Sequence, residues 1–510
     1  MARKALVLMV SVLLVGMAVW AQTPKPGGEM IIAFGTDPES LDPNKISSAP
    51  AGMVLTHIAE TLLFMTEDLE VAPLLAESWE FSEDSKVLTL YLRKGVVFHD
   101  GTPFDAHAVK VNLERFRKAI FRFLLYPRVE TIEVVDEYTV RLHLDMPFAP
   151  ILAHLTHNFV AMVSPRQIAE LPEGKDIMEP VGTGPFKFDK WVRGDYVRLV
   201  KNPDYWGDKP YLDSVVFKVV PSDATRLVLL ETGEVHAIMR VPPLDAPRVA
   251  ATPGLEVVRA PSVRTIYIGF NVTKPPFTDV RVRQAFNYAV DKEAIVKEIL
   301  GGAGGVSDAP IMPLIFGYSP QPPYKYDPEK AEALLKEAGI PKGYKITFHH
   351  PTGRYIMDAA IAEAVQAYLR EVGIELELVT MEWAAYLAFL RKPVAEAAHV
   401  MFLLGWGCVT LDADYGLFAL FHSSQWPTAG WNILFYGNPT VDRLLEQARV
   451  AVDPAARKDL YSQAIAQIWQ DAPWLFLHYE GQINAQRTVA KGLVHHPREY
   501  ILAHKAWLDR

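Results

Sequence analysis

The chain has 510 residues, 50% hydrophobic and 22% charged, an ordinary globular composition with room for two or three cores at about 100–200 residues per domain. A net charge of −9, with no run of Lys or Arg, argues against nucleic acid or an anionic membrane as partner. The single cysteine, Cys408, excludes an internal disulfide, so the cores must hold without covalent staples.

Arg3 and Lys4 precede an apolar run from Ala5 to Trp20 that ends in Val19-Trp20-Ala21, and the polar, helix-breaking segment Gln22 to Gly28 follows directly. The run is short for a bilayer span, so residues 1–21 read as a signal peptide cleaved near Ala21. Loss of Arg3 and Lys4 takes the net charge from −9 to −11. No cysteine follows the leader, so the mature chain is expected free in the periplasm rather than lipid-anchored.

Met30 to Gly35 has a buried-strand pattern, and Thr36-Asp37-Pro38-Glu39-Ser40-Leu41-Asp42-Pro43 is a polar, proline-punctuated loop where a ligand can meet a strand end. Alternating patterns predict strands at Lys86–Leu92, Thr131–Leu144 and Tyr196–Val200; between them a helix over Phe104–Phe116 takes Asp105 as N-cap. From Arg281 onward the periodic segments are mostly helical: Arg281–Leu300, Pro328–Ala338, Tyr355–Val372, Thr440–Val450 and Pro454–Asp471. Strands at Tyr344–His349 and Glu375–Thr380 flank the third of these, an order that predicts a parallel pair with a crossover helix. The change of character places a lobe boundary at Ile266 to Val272, with a crossing near residue 264.

No constellation of residues forces chemistry. Gly301-Gly302-Ala303-Gly304-Gly305 lacks the Lys-Ser/Thr of a phosphate loop and reads as a flexible turn. His154 and His157, His349-His350 and His495-His496 lack zinc-site spacing and read as solvated or strand-end residues. There is no Gly-x-Ser-x-Gly elbow, and Cys408 has nothing beside it in sequence to lower its pKa. No enzyme activity, metal or cofactor is expected.

The run Leu74-Leu75-Ala76-Glu77-Ser78-Trp79 through Leu92-Arg93-Lys94-Gly95-Val96-Val97-Phe98-His99-Asp100-Gly101-Thr102-Pro103-Phe104 resembles the peptide and nickel branch of ABC solute-binding proteins, family 5. Val181 to Phe186, Lys201 to Trp206, Phe270-Asn271 with Asp279 to Ala285, and Gly405-Trp406 are similar to that family's blocks in its usual order. The resemblance covers the chain from about residue 28 to its end. It implies an α/β, two-lobe periplasmic-binding-protein fold, with mixed sheets flanked by helices and a hinge between the lobes. Lobe I would run over 28–264 with an extra subdomain at about 70–170, lobe II over 265–480, and 481–510 would return to lobe I after a second crossing near Leu477–Asn484. The implied function is capture of a solute by lobe closure and delivery to a membrane permease, by a monomer. An exported hydrolase and a periplasmic chaperone or sensor partner are the readings of other classes; turnover of a bound peptide, or broad binding of unfolded chains without closure, would mark them.

Peptide receptors of the family hold the ligand's ammonium with an Asp three residues after the tryptophan of the Gly-Trp block; here that position is Val409, so Asp37, Asp412 or Asp414 would have to supply the carboxylate, with helix capping the alternative for the last two. Arg354, in the loop Pro351 to Tyr355, resembles the carboxylate-binding Arg of dipeptide receptors, with a surface salt bridge the alternative. The resemblance also places Trp383 and Trp406 at the cleft, beside Thr36, Cys408 and Trp426 as candidate ligand-site positions. Phe421-His422-Ser423-Ser424-Gln425-Trp426-Pro427, Asn432, Phe435-Tyr436, Ile468-Trp469 and Ala472-Pro473-Trp474 are similar to the glutathione-binding members, which makes glutathione or a short peptide the expected ligand and a metal chelate, haem or oligosaccharide the alternatives.

Overall fold

A computed structural model describes residues 23–46, 48–66, 70–119, 121–126, 128–352 and 354–510. The expected signal peptide lies outside the described residues.

Among the described residues, eleven strands form one sheet. From edge to edge its path is Ile374–Met381, Tyr344–Pro351, Met401–Gly407, Leu255–Phe270, Trp474–Arg487, Ala237–Ile238, Glu29–Phe34, Ser214–Val219, Tyr196–Lys201 and Phe186–Val192, with Gly304–Val306 added on Trp474–Arg487. The two longest strands, Leu255–Phe270 and Trp474–Arg487, lie side by side at its middle. They pair antiparallel from Leu255 opposite Arg487 to Gly269 opposite Trp474, with register shifts between Pro261 and Thr265 and between Ile266 and Tyr267. Both halves of the molecule hang on this pair. Stacking of Tyr267 on Trp474, ring centroids 3.6 Å apart, locks it in the core.

Tyr344–Pro351 pairs parallel with Ile374–Met381, and the helix Asp358–Glu371 makes the crossover, as the strand, helix, strand pattern predicts. The helix Ala106–Phe116 starts at Asp105, whose carboxylate accepts from Ala108 N at 2.8 Å. A separate four-stranded antiparallel sheet, Ala76–Phe81, Val87–Leu92, Thr139–Leu144 and Val129–Asp136, packs beside it.

Four local expectations are corrected. Thr131–Leu144 is a hairpin that turns at Glu137-Tyr138, because Asp136 accepts the Tyr138 amide at 2.8 Å. Arg281–Leu300 breaks after Ala289, where Asp291 caps a new turn by accepting from Ala294 N. The glycine-rich segment is in part a strand: Gly304 pairs with Glu480 at φ +119°, and a Cβ there would lie 1.9 Å from the Tyr479 carbonyl oxygen, so only glycine fits. His154 and His157 are fully buried rather than solvated, His154 Nδ1 lying 2.6 Å from the Leu124 carbonyl.

Candidate functional site

A cavity of about 300 Å³ opens where the two ends of the large sheet face each other across its central strands. On one side the strand Glu29–Phe34 empties into Gly35, Thr36 and Asp37, next to the start of the helix Ala49–Thr56. On the other, three chain ends converge: Arg354-Tyr355 after Tyr344–Pro351, Trp383 at the start of the helix Trp383–Leu390, and Gly405-Trp406-Gly407 at the end of Met401–Gly407. The loop carrying Arg354 is held by Asp358, whose carboxylate accepts from the amides of Arg354 and Tyr355 at 2.9 and 3.1 Å. Gly405 is required here, because a Cβ would meet Ile266 and Tyr355 at 2.5 and 2.8 Å.

Charge dominates the floor. Arg264 donates from Nε and Nη2 to both oxygens of Glu499, at 2.8 and 3.0 Å, and Glu480 Oε2 lies 3.3 Å from its Nε. All three are buried. Burial alone would raise Glu499, but the Arg264 charge and hydrogen bonds override it and hold its carboxyl at about 2. Glu480 is pushed up by burial and by the Glu499 charge. Its Oε1 accepts from Ile356 N at 3.2 Å, tying the central strand to the Arg354 loop.

Arg240 and Arg354 also line the cavity, and among the described residues neither guanidinium has a carboxylate within 4.0 Å. Arg240 donates to the Arg354 carbonyl at 3.2 Å. The Arg354 guanidinium lies 4.9 Å from the ring centres of both Tyr355 and Trp383. Burial, then the neighbouring Arg264 charge, hold Arg354 below the ordinary guanidinium value. Two half-buried positive groups facing one cavity favour an occupant that brings carboxylates.

Of the residues singled out from sequence, Thr36, Asp37, Arg354, Trp383, Trp406 and Val409 line this cavity. Asp37 is already engaged, accepting from Trp191 Nε1 at 3.0 Å and Gly194 N at 3.2 Å. Cys408, Asp412, Asp414 and Trp426 are placed elsewhere. Cys408 is buried with Sγ donating to the Asp412 carbonyl at 3.1 Å, and burial pushes its thiol well up. Asp412 accepts from Arg457 at 2.6 and 2.7 Å and Asp414 lies 2.9 Å from Arg449, so neither carboxylate is available to a ligand. Trp426 donates to the Tyr436 carbonyl at 2.8 Å and packs on Phe435. Nothing in the local sequence marks Arg240, Arg264 or Glu499 as cleft residues. Arg264 stands at the expected crossing, but nothing local ties it to Glu499, 235 residues away. Among the described residues no group of three or more His, Cys, Asp or Glu could hold a metal ion, and no helix is long and apolar enough to cross a membrane.

A two-lobe α/β fold with a charged cleft across paired crossing strands defines a solute-binding protein. The family model for bacterial extracellular solute-binding proteins, family 5, matches residues 70–428. The glutathione-binding protein GsiB of Pectobacterium atrosepticum is 35% identical over 494 residues, 95% of this chain and 94% of that protein. GsiB of Salmonella choleraesuis is 34% identical over 90% of both chains. Among solved structures, the periplasmic binding protein DppA of Helicobacter pylori in complex with the peptide STSA superposes with a TM-score of 0.85 at 31% identity, over 95% of this chain and 99% of that one. NikZ of Campylobacter jejuni in complex with Ni(L-His) gives 0.83 at 26%, over 94% and 97%. The chain belongs to family 5 of the bacterial extracellular solute-binding proteins, the receptor components of ABC importers.

Proposed function

We propose that this receptor captures glutathione, or a short peptide of similar acidity, in the periplasm and delivers it as a monomer to an ABC permease. The observation that carries the reading is the pair of cavity-lining guanidiniums, Arg240 and Arg354, without carboxylate partners among the described residues. Glutathione brings two carboxylates and one ammonium, so it answers both, and its bidentate pairing with a planar guanidinium is the strong form of such contacts. Val409, in place of an acidic side chain, leaves the ammonium less firmly held than the acid groups, which favours a net anion over a neutral dipeptide. Two of the similar proteins are glutathione-binding proteins.

Thr36, Arg354, Trp383, Trp406 and Val409 are the proposed contacts. Lobe I (28–264, with an extra subdomain at about 70–170, and 481–510) and lobe II (265–480) close over the ligand, which shifts the population towards the closed form by its greater affinity for it. Calorimetry with glutathione, a neutral dipeptide and Ni(L-His) tests the reading. Saturable binding of glutathione tighter than the dipeptide supports it; binding of the dipeptide or the chelate alone overturns it.

A further inference from the structure

We propose a second binding site, behind the cleft, for a small hydroxy acid with an apolar chain. A cavity of about 680 Å³ lies between the end of the helix Ala49–Thr56 with the segment after it and the hairpin Val494–His496 and Tyr500–Leu502. It is larger than the cleft cavity of about 300 Å³, and Asn158 and Tyr500 line both, so a shared wall divides them.

Arg498 fixes the acid end. The residue is only 7% exposed. Its Nε donates to the Val409 carbonyl at 2.6 Å, Nη1 to the Thr156 carbonyl at 3.0 Å and Nη2 to Thr156 Oγ1 at 2.7 Å, which leaves further N–H groups of the fork for a ligand. No described carboxylate lies within 4.0 Å of it. A buried guanidinium with neutral partners alone is poorly compensated, and burial brings its pKa down to about 10. An acid in the cavity supplies the missing charge.

His504 supplies a second polar point. Its Nε2 is buried without a hydrogen-bond partner, and burial keeps the ring neutral, down to about 4. A hydroxyl both donates and accepts, so it satisfies this nitrogen in either tautomer. Phe64, Met65, Leu74, Val494 and Leu502 supply an apolar stretch of wall for the chain, beside the polar Thr56, Thr61 and Thr66 and the ammonium of Lys505. Glu60, the carboxylate among the lining residues, does not compete for Arg498: it accepts from Tyr205 Oη and Thr183 Oγ1 at 2.7 Å and from Trp206 Nε1 at 2.8 Å.

Calorimetry of the purified protein with 3-hydroxyoctanoate and octanoate tests the site. The expected result is one saturable site for 3-hydroxyoctanoate, about tenfold tighter than for octanoate since one good hydrogen bond contributes about 1 kcal/mol or slightly more. Binding should be lost in Arg498→Gln and in Val494→Trp, which fills the cavity without touching the guanidinium, and kept in Arg354→Ala. Absence of saturable binding to the wild type overturns the proposal. So does binding lost in Arg354→Ala but kept in the other two variants, which puts the acid in the cleft.

Discussion

Arg264 and Glu499 form a two-pronged buried ion pair, Nε to Oε1 at 2.8 Å and Nη2 to Oε2 at 3.0 Å, that fastens the first crossing strand to the C-terminal hairpin. Removing one partner of such a pair leaves an uncompensated buried charge, at a cost of about 3–5 kcal/mol. Glu480 remains 3.3 Å from Arg264, so Glu499→Gln should fall at the lower end of that range. Chemical denaturation measures it. A loss below about 1 kcal/mol would show that Glu480 alone compensates Arg264.

Arg354 makes the opposite prediction. Its guanidinium makes no ion pair within 4.0 Å among the described residues, and burial and the Arg264 charge outweigh the more distant pull of Glu499, so the fold has little to lose with it. Arg354→Ala should leave the midpoint of thermal unfolding unchanged or slightly raised, while weakening an acidic ligand by about 2–5 kcal/mol, roughly 30-fold to several thousand-fold. Calorimetric affinity equal to that of the wild type would remove Arg354 from the site.

Asp412 should behave in reverse. Its carboxylate grips Arg457 at 2.6 and 2.7 Å deep in the core and accepts from Asp414 N at 2.9 Å. Asp412→Ala should cost about 3–5 kcal/mol in stability and leave ligand affinity unchanged at temperatures where the variant is folded. A loss of affinity in a fully folded variant would return Asp412 to the list of ligand contacts.

The contrast between these residues shows what sequence could and could not deliver. Helices with local signals were legible: Asp453 before Pro454 starts the helix Pro454–Asp471 by accepting from Ala456 N, and both ends were read. The strand Trp474–Arg487 was recognised only at its crossing, because it is buried over most of its length and shows no alternation. At the cleft, Arg354 and Trp406 were found from short blocks similar to a known family. Arg240 carries no such signal, since its place depends on a left-handed backbone, φ +59°, and a contact with Asn484 far along the chain. Asp412 misleads for the same reason: its nearness to Gly405-Trp406 is visible in the sequence, its partner Arg457 is not.

Glu60 gives a pH test. Burial raises its carboxyl to about 7 from 4.5, against the lowering effect of the Trp206, Tyr205 and Thr183 hydrogen bonds. Between these values the folded chain holds a proton that the unfolded chain has released. The stability this contributes is therefore fully present below about pH 4.5 and is lost as pH rises through about 7, a fall of about 3 kcal/mol. Glu60→Gln stays neutral throughout and lacks that slope. Urea denaturation at pH 5 and pH 8 should show the variant gaining on the wild type by about 3 kcal/mol at the higher pH. A difference that stays constant with pH would mean that the three donors keep Glu60 ionised and outweigh its burial.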